Sequence, residues 1–355
     1  MALAGLGVAA LGGFETGDGV PPPPAEAWAA RNDAMTRARV FRDERFDAAS
    51  IDFAADPNRG VVDPALTTCK YKPDGVSGTT PKFDCELDSG EKVKVKYGWT
   101  LEIPSETAAS RLLHALGFGA DRVSRVATVR CYGCPTQPFH TRALLEMLHL
   151  EGYFDRHLDY SSFRDFTRVS VERNLEGESI EAGHERGWAF YELAAIDPAR
   201  GGATRAEVDA LRLMAVFLHH WDNKSSNQRL TCVDAESADC AHPLAMIQDV
   251  GSAFGPKKAD LDNWRSRPVW DDSGACLLSM KGLPYNGGTF EEVAISEGGR
   301  RLLADRLRQL SAPQITALFA TAGMEDVQEW TSAFQDRVRQ IVERAACPAT
   351  AKAAS

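Results

Sequence analysis

Three polar residues in the second half of the chain have the identities and the spacing to transfer a phosphoryl group: Asp222, Asn227 and Asp249. The first two stand in His220-Trp221-Asp222-Asn223-Lys224-Ser225-Ser226-Asn227, which reads H-x-D-x-K-x-x-N. The third ends a short apolar run, Ile247-Gln248-Asp249-Val250-Gly251, as D-x-G. Moving a phosphoryl group from a metal-bound nucleotide to a hydroxyl needs a carboxylate beside the attacking oxygen. It also needs an amide oxygen and a second carboxylate to hold the metal on the phosphates. Asp222, Asn227 and Asp249 supply these groups in that chain order.

Such a site also needs cations for the phosphates and a carboxylate to orient them. Lys92-Val93-Lys94-Val95-Lys96-Tyr97 alternates strictly, as a half-buried strand does, with Lys94 and Lys96 on one face. Glu106 lies in the first turn of the helix expected next. Lys96 is preferred as its partner because it lies nearest that turn, although the pattern does not separate it from Lys94. An exposed edge strand guarded by lysines fits the same alternation. The turn-rich loop Gly75 to Lys82 offers backbone N–H groups and the Lys82 ammonium to a nucleotide, but it carries neither G-x-G-x-x-G nor G-x-x-x-x-G-K-[ST].

The elements expected to position these groups can be read in order. Ala25 to Asp47 has helical spacing, with Trp28, Met35, Ala38 and Phe41 on one face. Phe83 to Leu87 reads as a strand returning through Asp88-Ser89-Gly90. Pro104-Ser105-Glu106 opens a helix that Ser105 can cap, with Ala109, Leu112, Leu113 and Leu116 as its apolar stripe. Val123 to Val129 and Phe166 to Val171 read as strands. Thr204-Arg205-Ala206-Glu207 is a capping box for a helix running straight into His219-His220. Ala245-Met246-Ile247 is a short strand delivering Asp249, and Glu291 to Ala346 is helical, one helix starting at Ser311-Ala312-Pro313. Strands come first and helices later, an α+β order with a small strand-rich part and a larger helical one.

Composition bounds the rest. The chain has 355 residues, 44% hydrophobic and 25% charged, with a formal net charge of −10. That balance argues against a general binder of nucleic-acid backbones. Arg164, Arg168 and Arg173 lack interleaved aromatics and read as a solvated face. No run of about 18 apolar residues predicts a transmembrane segment. Met1 to Gly13 is small and apolar without Lys or Arg, reading as a trimmed signal-peptide core or an Ala/Gly tail, and Pro21 to Pro24 as part of a linker. The eight cysteines fall into neighbours, Cys69 with Cys85, Cys131 with Cys134 and Cys232 with Cys240, leaving Cys276 and Cys347. Local pairing favours disulfides and an extracytoplasmic, periplasmic or secreted setting, with a cytoplasmic one as the alternative. Zinc held by Cys131, Cys134, Cys69 and Cys85 is the competing reading. His219-His220 has no third partner at zinc spacing.

With these parts assembled, the chain resembles protein kinase-like folds, and most nearly the atypical secretory-pathway kinases of the Golgi casein kinase group. The similarity rests on H-W-D-N-K-S-S-N with D-V-G-S-A-F-G, and on Ser105 to Leu113 continuing through Gly117-Phe118 and Arg122-Val123. Phosphoinositide-kinase-like and bacterial persistence-toxin kinases share the layout more loosely. It covers residues 82 to 255. The resemblance implies a bilobal fold, with residues 26–190 as an N-terminal lobe, 191–346 as a helical C-terminal lobe, and linker or tail at 1–25 and 347–355. It implies ATP with magnesium or manganese, Asp222 as catalytic base and Lys224 at the transferring phosphate. Asn227 and Asp249 would bind the metal, a Lys94/Lys96–Glu106 pair would orient phosphates, and Trp188 to Leu193 would form the hinge against adenine. D-V-G in place of D-F-G, the missing glycine pattern, the cysteine-bracketed loop between Asn227 and Asp249 and the lack of an A-P-E segment depart from it. The expected activity is phosphoryl transfer to a protein or glycan hydroxyl. An inactive binding or scaffold protein of the same fold, or a nucleotidyl transferase, is the alternative.

Overall fold

Alternation between apolar and polar residues builds a closed barrel in the first half of the chain. The computed structural model describes residues 25–42, 45–75, 77–183, 186–233, 240–284 and 287–348. The barrel strands are Leu66–Lys72 (β1), Lys82–Leu87 (β2), Lys92–Lys96 (β3), Arg122–Tyr132 (β4) and Phe163–Arg173 (β5), in the order β1-β2-β3-β5-β4. Parallel pairing of β1 with β4 closes the ring, and the other pairs are antiparallel. Val93, Val95, Phe83, Cys85, Val129 and Val171 fill its interior, so Lys94 and Lys96 must point outward.

Outside the barrel on that face lies helix Glu102–Ala115 (α2). It begins earlier than a Ser105 cap would place it. Ser105 sits inside the first turn, donating to the Ala253 carbonyl (3.0 Å) and accepting from the Ala253 N–H (3.2 Å). Between β4 and β5 the chain inserts Pro138–Met147 (α3) and Glu151–Asp155 (α4).

The N-terminal helix Ala25–Thr36 (α1) is shorter than its periodicity suggested. Beyond it the chain runs as an edge, Arg39 bridging to Leu244 and Phe41 to Phe118, so Met35, Ala38 and Phe41 share a core without sharing a helix face. That core is the helical one. Its centre is Arg205–Leu218 (α5), buried from Val208 to its end and opened by the Thr204–Glu207 capping box. Around α5 stand Leu261–Ser266 (α6), Glu297–Leu307 (α7), Ala312–Ala322 (α8) and Val327–Val342 (α9). Two small sheets complete the fold: Glu178–Ser179 (β6), Gln228–Cys232 (β7) and Pro243–Ile247 (β8), and the ribbon Leu277–Leu278 (β9) with Val293–Ala294 (β10).

The chain passes from barrel to helical part directly after β5. Asp121 accepts from the Leu175 N–H (2.7 Å) and Arg229 donates to the Leu175 carbonyl, fixing the crossing. Gly177 follows at φ +125°, and a Cβ there would stand 2.2 Å from the Cys232 carbonyl oxygen, so only glycine fits. All eight cysteines lie at disulfide distance in pairs: the three expected neighbours, and Cys276 with Cys347 across a separation of 71 residues. No helix among the described residues is long and apolar enough to cross a membrane. The N-terminal stretch to Pro24, the loop 234–239 and the end of the chain from 349 lie outside the described residues.

One buried cation fixes the end of α5. Arg337 of α9 is fully buried and donates to the carbonyls of Trp264 (2.8 Å), Arg267 (2.6 Å) and Val216 (3.3 Å). Replacing it by methionine keeps the volume but leaves these carbonyls unpaired. Arg337→Met is expected to lower unfolding free energy by about 3 kcal/mol in a denaturant titration; a loss under about 1 kcal/mol would show that water or repacking satisfies them.

Candidate functional site

The approach to Asp222 is set by the way α5 stops. His219 takes a left-handed conformation (φ 55°) as the helix cap, and the chain turns into the 219–227 loop. His220 is buried, and burial pulls its imidazole down to about 4, so it is neutral at physiological pH; Gln228 Nε2 lies 3.1 Å from its Nε2. Asn223 pins the loop: its Nδ2 donates to the His220 carbonyl (3.0 Å), and its Oδ1 accepts from the N–H groups of Thr289 (2.6 Å) and Phe290 (2.9 Å). Trp221 donates from its indole to the Gly255 carbonyl (3.0 Å), and the Phe254 N–H donates to Leu218 (2.7 Å). The loop and the D-V-G-S-A-F-G segment are thereby joined on both sides.

Asn227 closes the site from within. Its Nδ2 donates to the Asp222 carbonyl (2.6 Å), and its own carbonyl accepts from the N–H groups of Gln248 and Asp249, both at 3.0 Å. Asp222, Asn227 and Asp249 line one cleft of about 570 Å³ together with Lys82, Lys94, Lys224 and Lys258. Asp222 Oδ1 is buried without a hydrogen-bond partner, with the Lys224 ammonium 3.4 Å away. The 75–82 loop covers this cleft from the barrel side, with Gly75, Ser77, Gly78, Thr79 and Thr80 on its wall.

Behind the cleft lies a buried charge cluster. Lys96 has no exposure and is bonded to Glu106 (2.6 Å) and Glu102 (3.0 Å), with Glu172 at 3.7 Å and Asp249 Oδ1 at 3.9 Å. Lys94 pairs with Glu172 at 2.7 Å, its neighbour in the β3–β5 register. Lys94 therefore stands on the cleft wall, whereas Lys96, the preferred of the two, stands behind it. Burial disfavours the Lys96 ammonium, but Asp249, Glu106, Glu172 and Glu102 outweigh it and hold the group well above the usual lysine range. Burial likewise works against the Asp249 carboxylate, and Lys96 and Lys94 overcome it, keeping Asp249 ionised far below the usual range. Glu102 follows the same balance, ending at about 2 through Lys96 and Lys258. Lys82 goes the other way: burial and the neighbouring Lys96 pull its ammonium down, the condition of a cation short of an anion.

Several of these groups were not singled out from sequence. Glu102 joins the loop to the rest by accepting from Thr80 (2.5 Å) and from Lys258. Gly251 is needed because a Cβ there would meet Glu102 Cγ at 2.4 Å, so the glycine of D-V-G makes room for this carboxylate. Glu172 gives no local signal, and only the β3–β5 register brings it to the lysines. Asn223 stood in the motif but had no assigned role. One expected placement differs. Trp188 is wholly buried, its indole donating to the carbonyls of Arg229 and Met246 at 3.2 Å, and Phe190–Ala195 is a 3-10 turn. Trp188, Ala189, Phe190 and Leu193 are core whereas Tyr191 is exposed, and none of these residues lines the cleft.

No protein-family model matches the chain, nor does any curated protein. Among solved structures it is similar to a Helicobacter pylori proinflammatory kinase, CtkA, at 13% identity and a TM-score of 0.41, over 78% of this chain and 95% of that one. An apo pseudokinase is similar at 12% identity and a TM-score of 0.22, over 81% and 98%. With both TM-scores below 0.5, the weight falls on the geometry of the cleft.

In the innermost ring two ammonium groups, Lys94 and Lys96, face four carboxylates, Glu102, Glu106, Glu172 and Asp249. Glu106 is the deepest of the carboxylates. Burial, only partly countered by Lys96, pushes its carboxyl up from 4.5 to about 8. A group with a raised folded-state value stabilises the fold below its unfolded value and loses that contribution as pH rises. Stability owed to this proton is therefore present below about 4.5 and disappears as pH passes through about 8. Glu106→Gln, which fixes the neutral form, is expected to flatten the stability profile across this window in urea melts at stepped pH. Parallel profiles for the two proteins would show that Glu106 is ionised throughout.

Proposed function

We propose that this chain is an atypical kinase that transfers the γ-phosphoryl group of ATP to a hydroxyl. The observation that carries this reading is the convergence of Asp222, Asn227 and Asp249 on one cleft facing Lys94 and Lys82. Those donors fit the implied nucleotide and metal. Asp249 is a carboxylate kept ionised by lysines, Asp222 Oδ1 is a buried oxygen without a hydrogen bond, and Lys82 is a cation short of an anion.

Bound ATP with magnesium or manganese would supply the transferable phosphoryl group and an electrophilic phosphorus. Asp249 and the Asn227 amide oxygen would hold the metal. Lys94 and Lys82 would neutralise phosphate oxygens, with the 75–82 loop contributing backbone N–H groups. Lys96 and Glu106 would act one layer back, setting the position and charge of Asp249. Asp222 would take the acceptor's hydroxyl proton as the new O–P bond forms and the bond from the γ-phosphorus to the bridging oxygen breaks, leaving ADP, and Lys224 beside it would stabilise the transferring phosphate. The acceptor hydroxyl is proposed to belong to a protein or glycan. The cysteine pairing supports an extracytoplasmic setting.

A second reading has an observation of its own. Thr80 and Lys258 both bind Glu102, drawing the loop and the segment after D-V-G together across the cleft. Contacts that tie the two walls of the cleft together in this way suit a scaffold that does not turn over. The two readings separate in one series. Mg-ATP or Mn-ATP is expected to raise the melting temperature of the wild type and of Asp222→Ala, but not of Asp249→Ala. Phosphoryl transfer to a generic acceptor should fall at least 100-fold in Asp222→Ala. No shift with either nucleotide complex favours the scaffold. Normal turnover in Asp222→Ala overturns its role as base, and an adenylyl rather than phosphoryl mass on the product overturns the reaction.

A further inference from the structure

A second cavity, of about 620 Å³, shares no lining residue with the cleft yet touches the same two stretches of chain. Glu102 and Lys258 line the cleft, while Leu101, Ile103 and Ala259 beside them line the cavity. On the barrel side the cavity is lined by Trp99, Arg125 of β4 and Arg168 of β5. On the helical side it is lined by Met324, in the turn between α8 and α9, and by Trp330 in α9. Its volume lies within the roughly 300–1,000 Å³ of small-ligand sites.

Packing within the fold does not account for this lining. Trp99 is 85% exposed and Leu101 54%, so two large apolar side chains are left to water beside the buried Met324 and Trp330. Arg168 takes a left-handed backbone (φ 55°) inside β5, between Thr167 and Val169, which pair with Thr128 and Val126. A residue with a side chain avoids that conformation in a strand. Its guanidinium lies over the Trp99 ring, 3.2 Å from the centroid, and among the described residues it has neither a hydrogen bond nor a carboxylate. Arg125 donates to the Ala322 carbonyl (2.8 Å) and likewise has no carboxylate partner. Burial pulls its guanidinium below the usual range, and no anion offsets it. Gly323, left-handed at the end of α8, is required there because a Cβ would collide with Arg125 Nη1. The exposed Glu325 and Asp326 also line the cavity but pair with neither arginine. A half-buried cation without a counter-charge favours an incoming anion, and an arginine stacked on an indole offers a flat surface to a ring.

We propose that this cavity binds a small anion with an aromatic body, its acidic group a carboxylate, sulfonate or phosphate. The acidic group accepts from the guanidinium groups of Arg125 and Arg168. The ring system covers Trp99, Leu101 and Ile103, removing from water the apolar surface that the fold leaves open. The site stands independently of the reaction proposed for the cleft. A ligand seated in it rests on Leu101, Ile103 and Ala259, and so on the backbone that carries Glu102 and Lys258.

The test titrates the full chain with anilinonaphthalene sulfonate, an aromatic anion whose fluorescence rises when it leaves water. Saturable binding of one dye per chain is expected. Neutral phenylnaphthylamine, the same ring system without the sulfonate, should compete about tenfold more weakly. Trp99→Ala and Arg168→Gln alter exposed residues and should each weaken the dye about fivefold. Arg125→Gln should bring the dye down to the affinity of the neutral compound. Leu148→Ser, an exposed apolar position outside the cavity, should leave binding unchanged. Absence of saturable binding, equal affinity for the charged and neutral compounds, wild-type affinity in both Trp99→Ala and Arg168→Gln, or loss of binding in Leu148→Ser overturns the site. Should Arg125→Gln fail to fold, Trp99→Ala and Arg168→Gln decide the matter alone.

Discussion

The burial of Lys96 is the constraint on which the rest of the site depends. An ammonium taken wholly out of water is tolerated only where carboxylates surround it at bonding distance. Its carboxylates come from three separate places: Glu102 and Glu106 from the first turns of α2, Glu172 from β5, and Asp249 from the turn after β8. Each element must keep its register for the charge to be balanced. In the barrel β3 lies between β2 and β5, and its pairing with β5 brings Glu172 into range. The missing side chain at Gly251 lets Glu102 approach. A single cation thus ties strand pairing, helix placement and the metal-side carboxylate to one another.

Charge is only half of the arrangement, because neutral hydrogen bonds set the other side of the cleft. Asn227 joins the Asp222 loop to the Asp249 turn through carbonyl and N–H groups, and Asn223 fixes the same loop to residues 289 and 290. His220 is neutral in this setting and packs as a hydrogen-bonding ring. The result is a rigid polar wall with few net charges facing a cluster rich in them. A carboxylate such as Asp222 then keeps an oxygen free of hydrogen bonds, with only the part-exposed Lys224 ammonium beside it.

What could be read from sequence divides along a physical line. Short-range patterns survived folding: the alternation of Lys92 to Lys96, the Thr204–Glu207 capping box, the apolar run into Asp249, and the three neighbouring cysteine pairs. Their determinants are local, the widest being Cys69 with Cys85 at a separation of 16 residues. Glu172 and Lys258 were missed because their partners Lys94 and Glu102 lie 78 and 156 positions away, and Glu102 because its role depends on Lys258 and on a barrel that must first close. Cys276 and Cys347 looked unmatched for the same reason. A short, largely apolar stretch such as Trp188 to Leu193 describes a partly buried 3-10 turn as well as a cleft edge. Ser105 looked like a cap because its type suits one, whereas tertiary contact with Ala253 claims its hydroxyl.

Helix α2 carries two of the four carboxylates, yet Ala108, Ala109, Leu112, Leu113 and Leu116 belong to the same apolar core as α5 and α8, while the barrel keeps a core of its own. Ser105 adds a two-way hydrogen bond to the backbone after the D-V-G turn. The helix is thus mortised into the larger body, and the barrel rides against it across a seam made of ions. Any rocking of the barrel must be taken up at that seam, where Lys96, Glu106 and Glu172 are buried while Lys94 and Asp249 reach the cleft. Grease tolerates such a slip and a lattice of charges does not, so the barrel has a preferred seat on α2 that is defined electrostatically, and Asp249 stands at its rim.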